Sequence, residues 1–439
     1  MNPFRSAALA GVLFAAIAIP LSAVRPLWLD EILQLIETRR PSTVAMVESL
    51  RQTPGAAPLG YILQRAFLRI GGYSRAVERL PAALFGAGAV FIVGVLGTEL
   101  GLRKGWQAAV IFAVFPMMLR YATESRVYSQ ALFFSVLATL LHVRLARRPT
   151  VALAGQYWLA LTAAVYTQPY SLCVGFAHLL WSCIGRTGKT IILSGTALVL
   201  ATIAFLPWFW WSLHGWRASV EIASVHFSIS AKTPLMLFRE LAGAGYWGSG
   251  LLLILCVVAR RTEQLRKDIG ILLLLLIATV IGGALAGDAW FGYYIAARQF
   301  LWLLPAVAIL TAAAIEACPR AGTLTAALLV IVCVRQSALF FIAPGEDWQK
   351  AADVLADKAG HGECLAVAPP EHTPLYTFFH PKLRNERCRA ASRIMLAITP
   401  AATSAVGASA ISKLIASGYY RANEETVGRS RIVYFHHIP

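Results

Sequence analysis

Apolar residues run along this chain in long unbroken stretches, not in the alternating or one-faced patterns of a soluble domain. The segments "GILLLLLIATVIGGALAG" (270–287) and "TLTAALLVIVCV" (323–334) are examples. Each approaches the roughly 20 residues that an α-helix needs to cross about 30 Å of hydrocarbon. Reading every such run as a helix predicts spans at about 4–24, 80–100, 107–120, 127–145, 152–168, 170–184, 190–211, 247–259, 269–287, 299–316 and 322–342, eleven in all. The first follows Arg5 and ends in small residues, as a secretory signal does. Its apolar stretch is longer than a signal core, so it is read as a retained span.

The pattern changes twice. Residues 25–79 form a long loop after the first span, and within it "APLGYILQRAFLRIGGYSRAVERLP" is apolar and basic at once. One reading is a helix lying in the membrane interface, with Tyr61, Ile62, Phe67, Leu68 and Ile70 towards lipid and Arg65 and Arg69 in water. An ordinary loop helix packed on the bundle fits the same pattern. "STVAMVESLRQ" offers a second interfacial helix. Beyond about residue 343 the apolar runs stop. "EDWQKAADVLADKA" has helical spacing, and "ECLAVA" and "RIVYFHHI" read as strands. The predicted organisation is a transmembrane domain over 1–342 and a small α/β domain over 343–439.

Composition agrees with a polytopic α-helical membrane protein. The 439 residues are 58% hydrophobic and 14% charged, with a mean hydropathy of +0.63; a soluble domain carries about a quarter charged residues. The net charge of +17 does not point to nucleic acid, because much of it sits in short loops between spans. Those loops carry Arg103 and Lys104; Arg144, Arg147 and Arg148; Arg186 and Lys189; Arg260, Arg261, Arg266 and Lys267; and Arg320. The positive-inside rule places them in the cytoplasm together with the N-terminus. Loop 25–79, the turns at 121–126, 212–246 and 288–298, and the tail then lie outside. Cys173, Cys183, Cys256, Cys318 and Cys333 fall in or beside spans and read as packing residues. Cys364 and Cys388 lie in the tail, where a disulfide is compatible with an external location but not fixed by the sequence.

On that topology several polar groups share the external face. Asp30 and Glu31 follow the first span in "RPLWLDEILQL". "RYATESRVYSQ" places Arg120, Glu124, Arg126 and Tyr128 in and beside a short external turn. Arg298 starts the tenth span after an aromatic cluster of Trp290, Phe291, Tyr293 and Tyr294, and "YTQPYS" sets Tyr166, Gln168 and Tyr170 at another external turn. Each alone reads more readily as a loop charge or as part of an interfacial aromatic belt with a snorkelling Arg. Together they make a carboxylate cluster near cations that suit phosphate. His178 sits alone in a span and reads as a packing residue, and no Walker loop, dinucleotide fingerprint or HExxH motif is present.

In order along the chain, "LWLDE", "APLGY", "RLPAALFG" (Arg79 to Gly86), "RYATESRVYSQ", "YTQPYS", "ARQFLWLLP" and "EDWQ" resemble the bacterial family 39 type of GT-C glycosyltransferases, relatives of protein O-mannosyltransferases and of the lipid A aminoarabinose transferase. The family pattern is LWxDE, HPPLYY, RLPSALFG, YYSQEARMYAL, YTHYYG, RYLLP and EDWR, and the match covers about three quarters of the chain. The resemblance implies a GT-C-like bundle that takes a sugar from a polyprenyl-phosphate carrier and transfers it outside the cytoplasm, in a bacterial inner membrane. It implies Asp30 as the base for the acceptor hydroxyl, with Glu31 and Glu124 as further acids. Arg126, Tyr128, Arg298 and Tyr61 would serve the donor phosphate and lipid, and Tyr166, Gln168 and Tyr294 the substrate cavity. The acceptor is a glycan, a lipid or a protein. No cofactor is assigned with certainty, and a divalent metal held by Asp30, Glu31 and Glu124 stays open. Two turns depart from the pattern: "AAPLGY" lacks the His and one Tyr, and Gln168 replaces the His of YTHYYG.

Sugar transfer from a phosphate ester needs a carboxylate to take the acceptor proton, worth roughly 10²–10⁴-fold, and fixed cations for the departing phosphate. A single in-line displacement would invert the anomeric centre. Two other functions stay open: a non-catalytic relative that binds a polyprenyl lipid, and a lipid or sugar transporter. Against the transporter, no internal repeat is evident and the charges gather at one face rather than at the midplane.

Overall fold

The computed structural model describes residues 3–53, 55–184, 186–226, 232–260, 267–291, 296–359, 363–383 and 391–437. It divides into two compact units. One comprises Met1–Ser22 and Glu37–Phe340, the other Ala23–Ile36 and Phe341–Pro439. The residues that leave the first span thus group with the tail.

The first helix, α1 (Pro3–Ser22), is followed by three short helices of the first loop: α2 (Leu29–Thr38), α3 (Thr43–Leu50) and α4 (Pro58–Gly71). The Ser42 hydroxyl caps α3 by accepting the Ala45 N–H at 3.0 Å. Pro58 opens α4, where its missing N–H costs nothing. Next come α5 (Arg75–Glu99), α6 (Trp106–Val114) and α7 (Pro116–Ala122). A single span was expected over 107–120. Pro116 has no N–H to continue the ladder and Phe115 turns out of helical geometry at ψ 123°, so the run breaks in two.

The chain continues through α8 (Tyr128–Arg147), α9 (Val151–Thr167), α10 (Leu172–Cys183) and α11 (Gly188–His226). Then come α12 (Thr233–Glu240) and α13 (Gly245–Arg260), bent by 79° across a break. Ala242 and Gly243 adopt positive φ at that bend. After α14 (Lys267–Phe291), a 3₁₀ segment (Ala297–Leu303) leads into α15 (Leu304–Ala317), and α16 (Pro319–Ile342) closes the series.

Among the described residues, seven helices are long and apolar enough to span a membrane, or eight if the bent pair counts as one span. The chain is a multi-pass helical membrane protein. The expected spans at 107–120, 152–168 and 170–184 are helical but short, because α6 has 9 residues, α9 has 17 and α10 has 12.

The core of this unit forms where α1 packs along α5, α5 against α6 and α8, and α8 against α9. Glu99, at the end of α5, accepts from Arg144 Nε at 3.1 Å and pairs with Arg147. Glu316, at the end of α15, accepts the backbone N–H groups of Arg103 (3.1 Å) and Lys104 (2.6 Å). Three of the basic loops are therefore gathered at one end of the bundle. Deeper in, His142 and His178 stack with centroids 4.5 Å apart. Every ring nitrogen of the pair has a partner: Tyr157 Oη (3.1 Å) and Thr139 Oγ1 (3.1 Å) for His178, Ser182 Oγ (3.3 Å) and Ser194 Oγ (3.4 Å) for His142. His178 is a packing residue, as expected, but not a solitary one.

The interfacial picture of the first loop needs correcting. Ile62 and Ile70 are exposed on α4, but Tyr61 and Leu68 are buried. Arg65, expected in water, is also buried and donates to the carbonyls of Thr38 (2.8 Å), Arg40 (2.6 Å) and Pro41 (3.2 Å). Carbonyls at the end of α2 have no intrahelical donor, and the five N–H groups of a guanidinium can serve several at once.

The second unit is built on a four-stranded sheet of β1 (Cys364–Ala368), β2 (Arg393–Ile398), β3 (Tyr419–Val427) and β4 (Ser430–His437), in spatial order β1-β2-β4-β3. β1 and β2 are parallel and the other pairs antiparallel. Three helices complete it: α17 (Trp348–Ala359), α18 (Thr373–Thr377) and α19 (Ser404–Ala416). The expected helix and two strands are present as α17, β1 and β4. Cys364 is disulfide-bonded, and Cys388 lies outside the described residues.

Candidate functional site

The acidic turn of the first loop belongs to the second unit. Asp30 and Glu31 occupy the first turn of α2, where the unpaired N–H groups and the helix dipole favour negative charge. Asp30 is half-buried and Glu31 fully buried. The Glu31 carboxylate folds back to accept the Trp28 N–H at 3.3 Å, so this acid caps its own helix. The Leu29 N–H is taken by Glu346 Oε2 at 2.9 Å, and the same oxygen accepts Trp348 Nε1 at 2.6 Å. The sequence singled out Glu346 only as part of "EDWQ"; its bond to a residue 317 positions away left no signal there.

The basic and second acidic turn belongs to the first unit. Pro116 starts α7, Thr123 ends it, and the Arg126 N–H bonds back to the Glu124 carbonyl at 2.7 Å, closing a tight turn into α8. Glu124 is 4% exposed and accepts Arg120 Nε at 2.9 Å. The Arg120 guanidinium also lies 5.0 Å from the Phe340 ring centre. Arg126 sits 5.6 Å from the ring centre of Tyr128, which in turn meets Tyr121 edge-on at 4.9 Å. Tyr121 lies within electrostatic reach of Arg120, Glu124 and Arg298. Glu124, Arg126 and Arg298 thus lie about the Tyr121–Tyr128 pair. Arg298 lies in the 3₁₀ segment, at whose start Gln299 Oε1 accepts the Ala296 N–H at 3.2 Å.

This turn rests on α4. A Cβ on Gly60 would lie 2.4 Å from Val127 Cγ1, so only glycine permits the approach. Beside it, Gln64 Nε2 and Ser125 Oγ both donate to the Glu78 carbonyl, at 3.0 and 2.9 Å. Tyr61 lies in the apolar core with Val127 and Tyr157 rather than on a lipid-facing surface.

The remaining candidates are placed differently. The Tyr166 hydroxyl donates to the Ala204 carbonyl of α11 at 2.6 Å, which makes it a tie between α9 and α11. Gln168 ends α9, its N–H on the Ala164 carbonyl at 2.8 Å. Tyr294 lies outside the described residues, as does Tyr293. Among the described residues no three His, Cys, Asp or Glu side chains come together as a metal-binding group.

An apolar cleft of about 660 Å³ opens between α10, α11 and α14, lined by residues such as Leu172, Phe176, Leu198, Leu275 and Gly283. Two hydroxyls in its wall, Thr202 and Thr279, are already bonded to their own helices at Leu198 O (2.9 Å) and Leu275 O (2.8 Å). The lining therefore presents a hydrocarbon surface suited to an apolar chain.

No family model matches the chain, and no curated protein matches it. Among solved structures it is similar to the archaeal oligosaccharyltransferase AglB from Archaeoglobus fulgidus, in complex with an inhibitory peptide and a dolichol-phosphate. That likeness has a TM-score of 0.52 at 10% identity, over 88% of this chain and 69% of that one. ArnT from Cupriavidus metallidurans in the apo state matches with a TM-score of 0.48 at 14% identity, over 97% of each chain. The undecaprenyl-phosphate-bound form of that protein matches with a TM-score of 0.40 at the same identity and coverage. The likeness to AglB shows that the two chains share a fold.

Proposed function

We propose that this chain is a membrane glycosyltransferase that moves a sugar from a polyprenyl-phosphate carrier to an acceptor hydroxyl at the extracytoplasmic face. The observation that carries this reading is the half-buried Asp30 in the first turn of α2, directly after the first span of a GT-C fold. The dolichol-phosphate held by AglB supports a carrier of the same chemistry here. The basic short loops support a cytoplasmic N-terminus and an external site.

In this mechanism Asp30 accepts the proton of the acceptor hydroxyl as its oxygen attacks the anomeric carbon. The bond from that carbon to the phosphate oxygen breaks, and the polyprenyl phosphate leaves with the electron pair. Arg126 and Arg298 stabilise the phosphate, for which planar guanidinium groups are well matched. A single displacement inverts the anomeric centre. Glu124 holds Arg120 and shapes the turn that presents Arg126. The apolar cleft between α10, α11 and α14 takes the carrier's hydrocarbon. The acceptor is a glycan, lipid or protein.

The test is transfer in proteoliposomes from polyprenyl-phosphate sugars, with donors chosen by mass spectrometry of the envelope glycans and lipids that change in a deletion strain. Wild-type protein is expected to transfer and Asp30→Asn to lose transfer while remaining folded. Full activity in Asp30→Asn would sink the assignment of the base.

A further inference from the structure

We infer that Glu346 is a positioning residue for Asp30: the tail carboxylate fixes the first turn of α2, and with it the direction of the acid one residue further on. This rests on the proposed transfer reaction for its catalytic consequence, but its structural basis is independent. The N–H of Leu29, the first residue of α2, has no partner within the helix. Glu346 Oε2 supplies it at 2.9 Å, and the negative charge is favoured at that end of the dipole.

Glu346 is itself held from two sides. Trp348 is fully buried, meets the tilted ring of Tyr376 with ring centres 5.3 Å apart, and donates its indole N–H to the same oxygen at 2.6 Å. The backbone of Glu346 is pinned by the β3–β4 turn. The Arg429 N–H reaches its carbonyl at 3.4 Å, and a Cβ on Gly428, at φ 61°, would lie 2.7 Å from that carbonyl oxygen. Asp347 takes a left-handed conformation at φ 49°, an uncommon state for a residue with a side chain, and this turn sets Glu346 and Trp348 at their common bond. Glu31 meanwhile satisfies the Trp28 N–H. Two carboxylates from distant parts of the chain therefore serve two successive N–H groups, and Asp30 follows directly. The grouping of Ala23–Ile36 with Phe341–Pro439 agrees with this tie.

One oxygen accepts both hydrogen bonds, so an amide oxygen can replace it while the charge is lost. Glu346→Gln is therefore expected to keep transfer within about threefold of wild type. Glu346→Ala should lower kcat by roughly 10²-fold, since a displacement of about 1 Å at a reacting group can cost that much, with the KM for donor changed less than about threefold. Trp348→Phe, which keeps the ring and removes its N–H donor, should fall between them. Hydrogen exchange of the amides around Leu29–Ile32 reads the positioning without any assay of activity: it should quicken in Glu346→Ala and not in Glu346→Gln. Wild-type kcat and unchanged exchange in Glu346→Ala would overturn the inference, as would a Glu346→Gln variant as slow in transfer as Glu346→Ala, which would mean that charge and not acceptor geometry matters. Should Glu346→Ala fail to fold, normal kcat and exchange in Trp348→Phe would overturn it instead. If wild type transfers from no polyprenyl-phosphate sugar while exchange responds as expected, the reaction is wrong and the positioning stands.

Discussion

Arg39 pairs with Glu78, and the Glu78 carboxylate is almost wholly buried while Arg39 keeps about a third of its side chain exposed. The pair joins the residue that follows α2 to the start of α5. The Glu78 backbone carbonyl next to it receives Gln64 and Ser125. Removing the cation takes an ion-pair partner from a buried carboxylate, which costs up to about 3–5 kcal/mol. Arg39→Ala should therefore lower the thermal midpoint of the detergent-solubilised protein markedly. Glu78→Gln removes the buried charge itself and should cost less. A midpoint unchanged in Arg39→Ala would show that water already screens the acid.

The aromatic pair Tyr121–Tyr128 sits among Glu124, Arg126 and Arg298. If the Arg126 and Arg298 guanidinium groups meet the departing phosphate, Arg298→Ala should reduce kcat/KM for the donor by roughly 10²-fold, the scale of losing one charge-stabilising donor. The acceptor KM should change much less. Initial rates with each substrate varied in turn decide this, and an unchanged donor dependence would remove Arg298 from the donor site.

The apolar runs made α5, α8, α14 and α16 legible, because a span announces itself by length and composition alone. The break at Pro116 was signalled by the proline, but the apolar run on both sides of it masked the stop. β3 was missed because "YYRANEETV" carries charged residues at successive positions and no clean alternation. Arg65 shows a different limit. Its position on an amphipathic helix marks a face, but not the carbonyls of Thr38, Arg40 and Pro41 that cover it. In the candidate site, Asp30, Glu31 and Glu124 stood out as acids beside spans. The Glu346 tie and the His142–His178 stack depend on contacts that sequence spacing does not encode.

The histidine stack offers a measurement of what a polar contact is worth inside this bundle. Tyr157→Phe deletes one hydroxyl and its bond to His178 Nδ1 at 3.1 Å while keeping the ring. Hydrogen bonds between membrane helices average about 0.6 kcal/mol and reach about 1.7. A loss of that size in unfolding free energy, with transfer rates unchanged, is the expected result. A large loss of transfer with intact stability would instead give the network a functional part.

The tail carries a charge network whose pH response has a definite sign. Glu424 on β3 accepts from Arg431 on β4 and pairs with Arg421, and the hydrogen bond from Arg431 holds its carboxyl below the usual value of 4.5. A group whose folded pKa is depressed contributes stability that is fully present above the unfolded value and is lost as pH falls through the folded one. The pair is solvent-accessible, so the contribution is small and weakened by salt. Wild type should exceed Glu424→Gln in the thermal midpoint of the full chain at pH 6, and the gap should close as pH is lowered below about 4.5. A gap that is constant across this range, or one that widens in acid, would contradict the assignment of Arg431 as the group that holds Glu424 ionised.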